Sequence, residues 1–187
     1  MAALVWSGIN PKDQITWFLE VLPALIGVAV LVATYRSFEL TPVLYLLILM
    51  HCVILMIGGH YTYAEVPFFD GLFGAERNNY DKLGHFFQGF VPAVIAREIL
   101  IRKHVVNGRR WLNLFVICVA LSFSAFYELI EWWVAVISGE GAKAFLGTQG
   151  YIWDTQSDMA FALVGAITSL VLLSRYHDRQ IRVVTGT

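Results

Sequence analysis

Apolar residues in this chain come in long unbroken runs. A bilayer core about 30 Å thick needs roughly 20 predominantly apolar helical residues. Such stretches run from about 15 to 34, 42 to 59, 83 to 101, 111 to 137 and 152 to 173. The fourth is long enough to cross with tilt, and the fifth has its polar residues crowded at its start. Met1 to Gly8 is apolar but too short to cross, so it is expected at the interface. A helix satisfies its own backbone in lipid, and no repeat, low-complexity tract or soluble linker interrupts the pattern. The expectation is an all-α polytopic transmembrane helix bundle of about five spans, with 1–187 forming a single integral membrane domain.

Composition points the same way. Hydrophobic residues make up 58% and charged residues 14%, against about 45–50% and about 25% in ordinary soluble domains. Mean hydropathy is +0.64. The 13 Lys and Arg nearly balance the 14 Asp and Glu, for a formal net charge of −1. A disordered chain is excluded, and so is a nucleic-acid binder that relies on a basic face. Cys52 and Cys118 lie in apolar runs, where free cysteine behaves as a small hydrophobe. Met1 to Asn10 lacks the basic start and long apolar run of a signal peptide, so insertion falls to the first long span.

Basic residues favour the cytoplasm. Arg36, Arg102, Lys103, Arg109, Arg110, Arg175, Arg179 and Arg182 fall on one side of the expected bundle. Lys12, Arg77, Lys82 and Lys143 fall on the other. The N-terminus is therefore expected outside and the C-terminus in the cytoplasm. The longest connection, 60–82, then lies outside; its aromatic and turn residues, among them Gly71, Phe73 and Gly74, suit the interface.

Ionisable residues inside spans are costly and mark functional sites. At about 1.5 Å per residue, four separate segments bring theirs to one depth near the outer face. Asp81, Lys82 and His85 open the third span, and Glu128 and Glu131 lie near the outer end of the fourth. Asp154 and Asp158 open the fifth, and His60 closes the second. Asp81, His85 and Gln88 form one helical stripe; Ser124, Glu128 and Glu131 form another; Asp154, Asp158, Ala162 and Gly165 form a third. The small residues Ala162 and Gly165 predict a close helix–helix approach. Asp81, Glu128, Glu131, Asp154 and Asp158 stand against a single fixed cation, Lys82.

An unpaired buried carboxylate costs several kcal/mol even after relaxation. Three escapes exist: a divalent cation, protonation of some members, or opening to external water. A mixed Asp, Glu and His set suits zinc, manganese or non-haem iron. The candidate metal ligands are Asp81, His85, Glu128, Glu131, Asp154, Asp158 and His60. The candidate catalytic residues are His85, Glu128, Glu131, Asp158 and Lys82, the lysine facing developing negative charge. The bland alternatives are a helix-capping Asp154, Glu128 and Glu131 salt-bridged to Lys82, and His60 in the aromatic belt. His51 is expected as a hydrogen-bonded interior histidine, with Glu20 and Glu65 as weaker candidates. Arg97, Glu98, Arg102 and Lys103 are expected to snorkel to headgroups, and His104 and His177 to be solvated.

The runs GGHYTYAEVP (58–67), YDKLGHF (80–86), QGFVPA (88–93), YELIEW (127–132) and WDTQSD (153–158) resemble the YjdF-like bacterial inner-membrane proteins, an uncharacterised family. The resemblance covers most of the chain from about Ile15 onward and implies a multi-pass protein of the bacterial inner membrane. The order D-K-x-x-H-F, E-x-x-E, D-x-x-x-D is more distantly similar to VanZ-like membrane proteins of the cell envelope. There Asp81, Lys82, His85, Glu128 and Asp158 match, and Glu131 stands where Gln is more usual. Neither likeness implies a particular reaction.

Three functions remain open at this point. One is a metal-dependent or acid–base hydrolase or transferase acting on a lipid-linked or envelope substrate. Another is a non-catalytic accessory or structural subunit of a membrane complex, with a homo-oligomer or other membrane partner. The last is a small ion- or proton-coupled transporter, for which neither an inverted repeat nor an inner polar trail is visible.

Overall fold

A computed structural model describes residues 1–70, 77–138 and 149–186. Lys143 and the turn residues Gly71, Phe73 and Gly74 lie outside the described residues. Six helices occur among the described residues: α1 (Ala2–Ser7), α2 (Gln14–Thr34), α3 (Pro42–Tyr61), α4 (Tyr80–Arg102), α5 (Arg109–Ser138) and α6 (Asp154–Thr185). No strand is found among them, and an isolated bridge joins Asp70 to Asn78.

Local chemistry sets the ends. Asp13 caps α2 by accepting a 2.7 Å hydrogen bond from the Thr16 amide. That amide holds the Asp13 carboxyl below the usual carboxylate range. Pro42 supplies a preset φ at the start of α3. After α3 the chain turns through Thr62 (φ 58°) and Tyr63 (φ 56°), both left-handed, which is strained for a β-branched residue. The turn sends the Tyr63 ring back over Gly58 and Gly84, where a Cβ on Gly58 would collide with it.

α2, α3, α5 and α6 are long and apolar enough to cross a membrane. α4, expected as the third of five spans, has the length (23 residues) but not the apolar character. The reason is its position: it packs against α3, α5 and α6, so its polar ends face protein. α6 runs to Thr185, a dozen residues past its expected end at Leu173. Ser174, His177 and Ile181 continue a buried face through those turns, and Gly186 (φ 71°) closes the helix in the left-handed region.

The α4–α6 seam is nearly backbone to backbone. A Cβ on Gly89 would collide with the Ala162 carbonyl, and one on Gly165 with the Phe86 carbonyl. Ala162 is fully buried, as the small-residue stripe predicts. Ala93, Val116, Ala120 and Ala166 fill the junction with α5. Bulkier Leu40, Leu44, Leu47, Phe90, Val91 and Val94 pack between α3 and α4.

Candidate functional site

The carboxylate stripes of α4, α5 and α6 meet at one end of the bundle. A side-chain clasp aligns them: Asn78 donates its amide N–H to Gln149 Oε1 (2.8 Å), and Gln149 Nε2 donates back to the Asn78 carbonyl (3.0 Å). Asn78 also donates through Nδ2 to the Val66 carbonyl and to Asp70 Oδ1, at 2.8 Å each. These bonds hold the start of α4 beside the start of α6.

Lys82 lies at the centre, 7% exposed. Its Nζ donates to Asp158 Oδ1 at 2.5 Å and to Asp154 Oδ1 at 3.0 Å, and lies 3.7 Å from Asp81 Oδ2. Sequence reasoning missed a second cation. Arg77 donates to Asp154 Oδ1 (2.6 Å) and approaches Asp81 Oδ2 (3.4 Å). The i,i+4 spacing to Asp81 was the available signal; Arg77 reads as a loop residue because it precedes the helix. The expectation of one fixed cation is corrected to two. Tyr151 closes over both, its ring centroid 5.5 Å from the Arg77 guanidinium and 5.8 Å from Lys82 Nζ. Asp154 does not cap α6, whose N-cap is Trp153; its Oδ1 accepts from both cations instead.

His85 is the hub of the remaining contacts. Its Nε2 stands 3.3 Å from Asp81 Oδ1 and 3.9 Å from Asp158 Oδ2. Its Nδ1 is 2.9 Å from Gln88 Oε1 and 3.8 Å from Glu128 Oε1. The Gln88 oxygen only accepts, so Nδ1 carries the hydrogen and Nε2 is turned toward the two aspartates. Those aspartates divide their oxygens: Asp81 Oδ2 and Asp158 Oδ1 face the cations, while Asp81 Oδ1 and Asp158 Oδ2 face the imidazole. One ligand atom each from Asp81, His85 and Asp158 lies within 4.8 Å of the other two.

Glu128, 8% exposed, faces this group from α5. Glu131 lines a cavity of about 20 Å³ with Glu20, Tyr63, Asp81, His85 and Tyr127, room for about one water-sized body. Tyr127 donates its hydroxyl to Glu20 Oε2 at 2.9 Å, joining α5 to α2.

Other expected candidates lie elsewhere. His60 Nδ1 bonds the Ser7 carbonyl at 3.0 Å, and its ring stacks on Trp6 with centroids 4.7 Å apart. It ties α1 to α3. Glu65 pairs with Lys12 at the surface. His51 Nε2 has no hydrogen-bond partner among the described residues, contrary to the expected bonded interior histidine.

A second polar network at the far end of α4 was not foreseen. Glu98 is fully buried. It accepts from the Thr41 hydroxyl (2.7 Å), Arg102 Nη1 (2.7 Å) and His177 Nε2 (2.9 Å). Arg97 donates to His177 Nδ1 (3.2 Å) and to Asp178 Oδ1 (2.5 Å). Glu98, Arg97 and Arg102 therefore do not snorkel, and His177 is buried rather than solvated. The Ser174, His177, Ile181 spacing carried that information.

A multi-pass helical membrane protein with a compact carboxylate–histidine–lysine cluster at one end is the class these features define. The comparisons place it further: residues 1–179 match the family described as "Predicted membrane protein (DUF2238)", and the chain belongs to that family. It is 54% identical over 189 residues to inner membrane protein YjdF of Escherichia coli strain K12, covering 98% of this chain and 90% of the relative. The YjdF-like resemblance and a multi-pass location in the bacterial inner membrane are thereby established. The matches lend no support to the VanZ-like likeness. No solved structure matches.

Proposed function

We propose that Asp81, His85 and Asp158 hold one divalent metal ion, of the zinc, manganese or iron type, in a membrane hydrolase or transferase that acts on a lipid-linked or envelope substrate. The orientation expected from loop charges puts this site at the outer leaflet. The arrangement of His85 carries the proposal. Tetrahedral ligand atoms about 2.0–2.1 Å from zinc stand about 3.3 Å apart, and Nε2 lies 3.3 and 3.9 Å from the two aspartate oxygens. A ligating histidine usually donates its other N–H to a fixed acceptor, the part Gln88 plays at Nδ1.

In this reading the metal would polarise a substrate oxygen or lower the pKa of a bound water. Lys82 and Arg77 neutralise the outward oxygens of Asp81 and Asp158, and hold Asp154. Glu128 and Glu131, on the open side of His85, take and return protons. His60 has no part.

Metal analysis of protein purified without chelators tests the proposal. About one equivalent per chain is expected, with loss of it in His85→Ala and Asp158→Asn variants that still elute as folded protein. Wild-type protein that takes up no metal when dialysed against zinc, manganese or ferrous iron would overturn it.

A second reading rests on Lys82 and Arg77, each of which contacts two or more carboxylates. On this reading the cluster is an ion-pair network that fixes helix register in an accessory subunit. It expects no bound metal and a stoichiometric partner on copurification.

A further inference from the structure

A larger cavity lies at the other end of the bundle, between α5 and α6. It measures about 530 Å³ and is lined by Arg109 and Asn113 of α5 and by Leu170, Val171, Leu172 and Arg175 of α6, among others. Its chemistry is split. Arg109 and Arg175 contribute cations to its lining, and the leucines and valine lie three to five residues before Arg175 on α6.

Arg109 and Arg175 are the two arginines that line this cavity, and among the described residues neither is held by a carboxylate. Arg77, Arg97 and Arg102 are each engaged by carboxylates. Among the described residues, Arg109 and Arg175 have no ion-pair partner and no acidic side chain lines the cavity. Two uncompensated cations from separate helices thus converge on one space.

Depth supplies the second constraint. Arg175 lies 21 residues after Asp154 on the continuous helix α6, or about 31 Å along it. That distance is close to the thickness of a bilayer core. With the carboxylate cluster at one headgroup level, Arg109 and Arg175 stand at the other, and Leu170 to Leu172 stand at acyl-chain depth. An amphiphile matches both the cations and the apolar wall of this open cleft.

We propose that this cavity seats an anionic phospholipid, its phosphate between Arg109 and Arg175 and its acyl chains along Leu170 to Leu172. Basic pockets between membrane helices commonly hold acidic headgroups. The volume falls in the range of small-molecule sites and is generous for inorganic phosphate alone. In the orientation expected from loop charges the lipid would come from the cytoplasmic leaflet.

Native mass spectrometry of the full chain in a neutral detergent, titrated with phosphatidylglycerol or phosphatidylcholine, tests this. Phosphatidylglycerol is expected to stay bound at activation energies that strip phosphatidylcholine. Arg109→Gln with Arg175→Gln should weaken phosphatidylglycerol binding by roughly 30-fold, the loss for removing two membrane-surface cations. Arg109→Lys with Arg175→Lys should retain most of it, and Arg110→Gln should change nothing. Leu172→Trp, which keeps both charges but occupies the chain end, should also reduce binding. Equal retention of the two lipids, undiminished binding in the Gln pair, or displacement of the lipid by millimolar inorganic phosphate would each overturn the proposal.

Discussion

Gly89 of α4 lies directly against the Ala162 carbonyl of α6, with no room for a methyl group between the two backbones. Any side chain at Gly89 must push the helices apart, and with them Lys82 and Asp158, which face each other across the same seam. Gly89→Val is therefore expected to destabilise the protein by at least about 2 kcal/mol, read as a lowered thermal midpoint in detergent. Gly27 of α2 is the control, because nothing lies within 4 Å of its added Cβ. Gly27→Ala should be neutral or slightly stabilising; equal losses at both positions would argue against the close seam.

Lys82 compensates Asp154 and Asp158 at once. Removing one partner of a buried ion pair costs about 3–5 kcal/mol. Lys82→Met should approach that loss, less the share that Arg77 recovers by holding Asp154. Lys82→Met with Asp158→Leu should recover part of it. A double variant no more stable than the single one would show that the pair is not energetically coupled.

Gln88 orients His85 without joining the proposed ligands. Gln88→Leu is expected to lower metal affinity by about 10–100-fold, with little effect on the thermal midpoint of the metal-free protein. Competition with a chromophoric chelator gives the number. Unchanged affinity would remove Gln88 from the site.

Glu128 is expected to serve chemistry rather than folding. Glu128→Gln should abolish any envelope phenotype that depends on the chain, while expression and detergent stability stay near wild type. Wild-type behaviour in every such phenotype would rule out its catalytic role.

Asp13 gives the pH dependence. Its carboxyl titrates below the ordinary value of 3.8 because the ionised form accepts the Thr16 amide. A lowered folded-state pKa means the stabilisation is present above that ordinary value and is lost as pH falls through the folded one. Asp13→Ala should cost about 1 kcal/mol at neutral pH, and the gap to wild type should close under strongly acidic conditions. A gap that persists there would assign the effect to something other than the charged cap.

Much of this architecture is legible in the amino-acid sequence. The spans announce themselves because lipid demands long apolar runs, and the start of α3 at Pro42 follows from the same pattern. The convergence of Asp81, His85, Glu128 and Asp158 is legible because rise per residue converts position into depth. What stays hidden is pairing between residues that look like loop or headgroup residues. Arg77 precedes its helix, and His177 sits in a charged C-terminal stretch. Both are internal because a partner helix covers them, a fact set by tertiary packing. His60 shows the converse: it has the right depth, yet α1 claims it through Ser7 and Trp6.

With polar clamps at both termini of α4 and glycine contacts between them, α4 and α6 form a single stiff lever. Glu98 at one tip and Asp81 at the other are each held by contacts from outside α4, so both tips are fixed to the same beam. α2 stands outside this beam, packed on α3 and joined to α5 by the Glu20–Tyr127 bond. Glu20 is the one α2 side chain among the described residues that line the small cavity beside His85, so α2 closes that cavity from outside the beam.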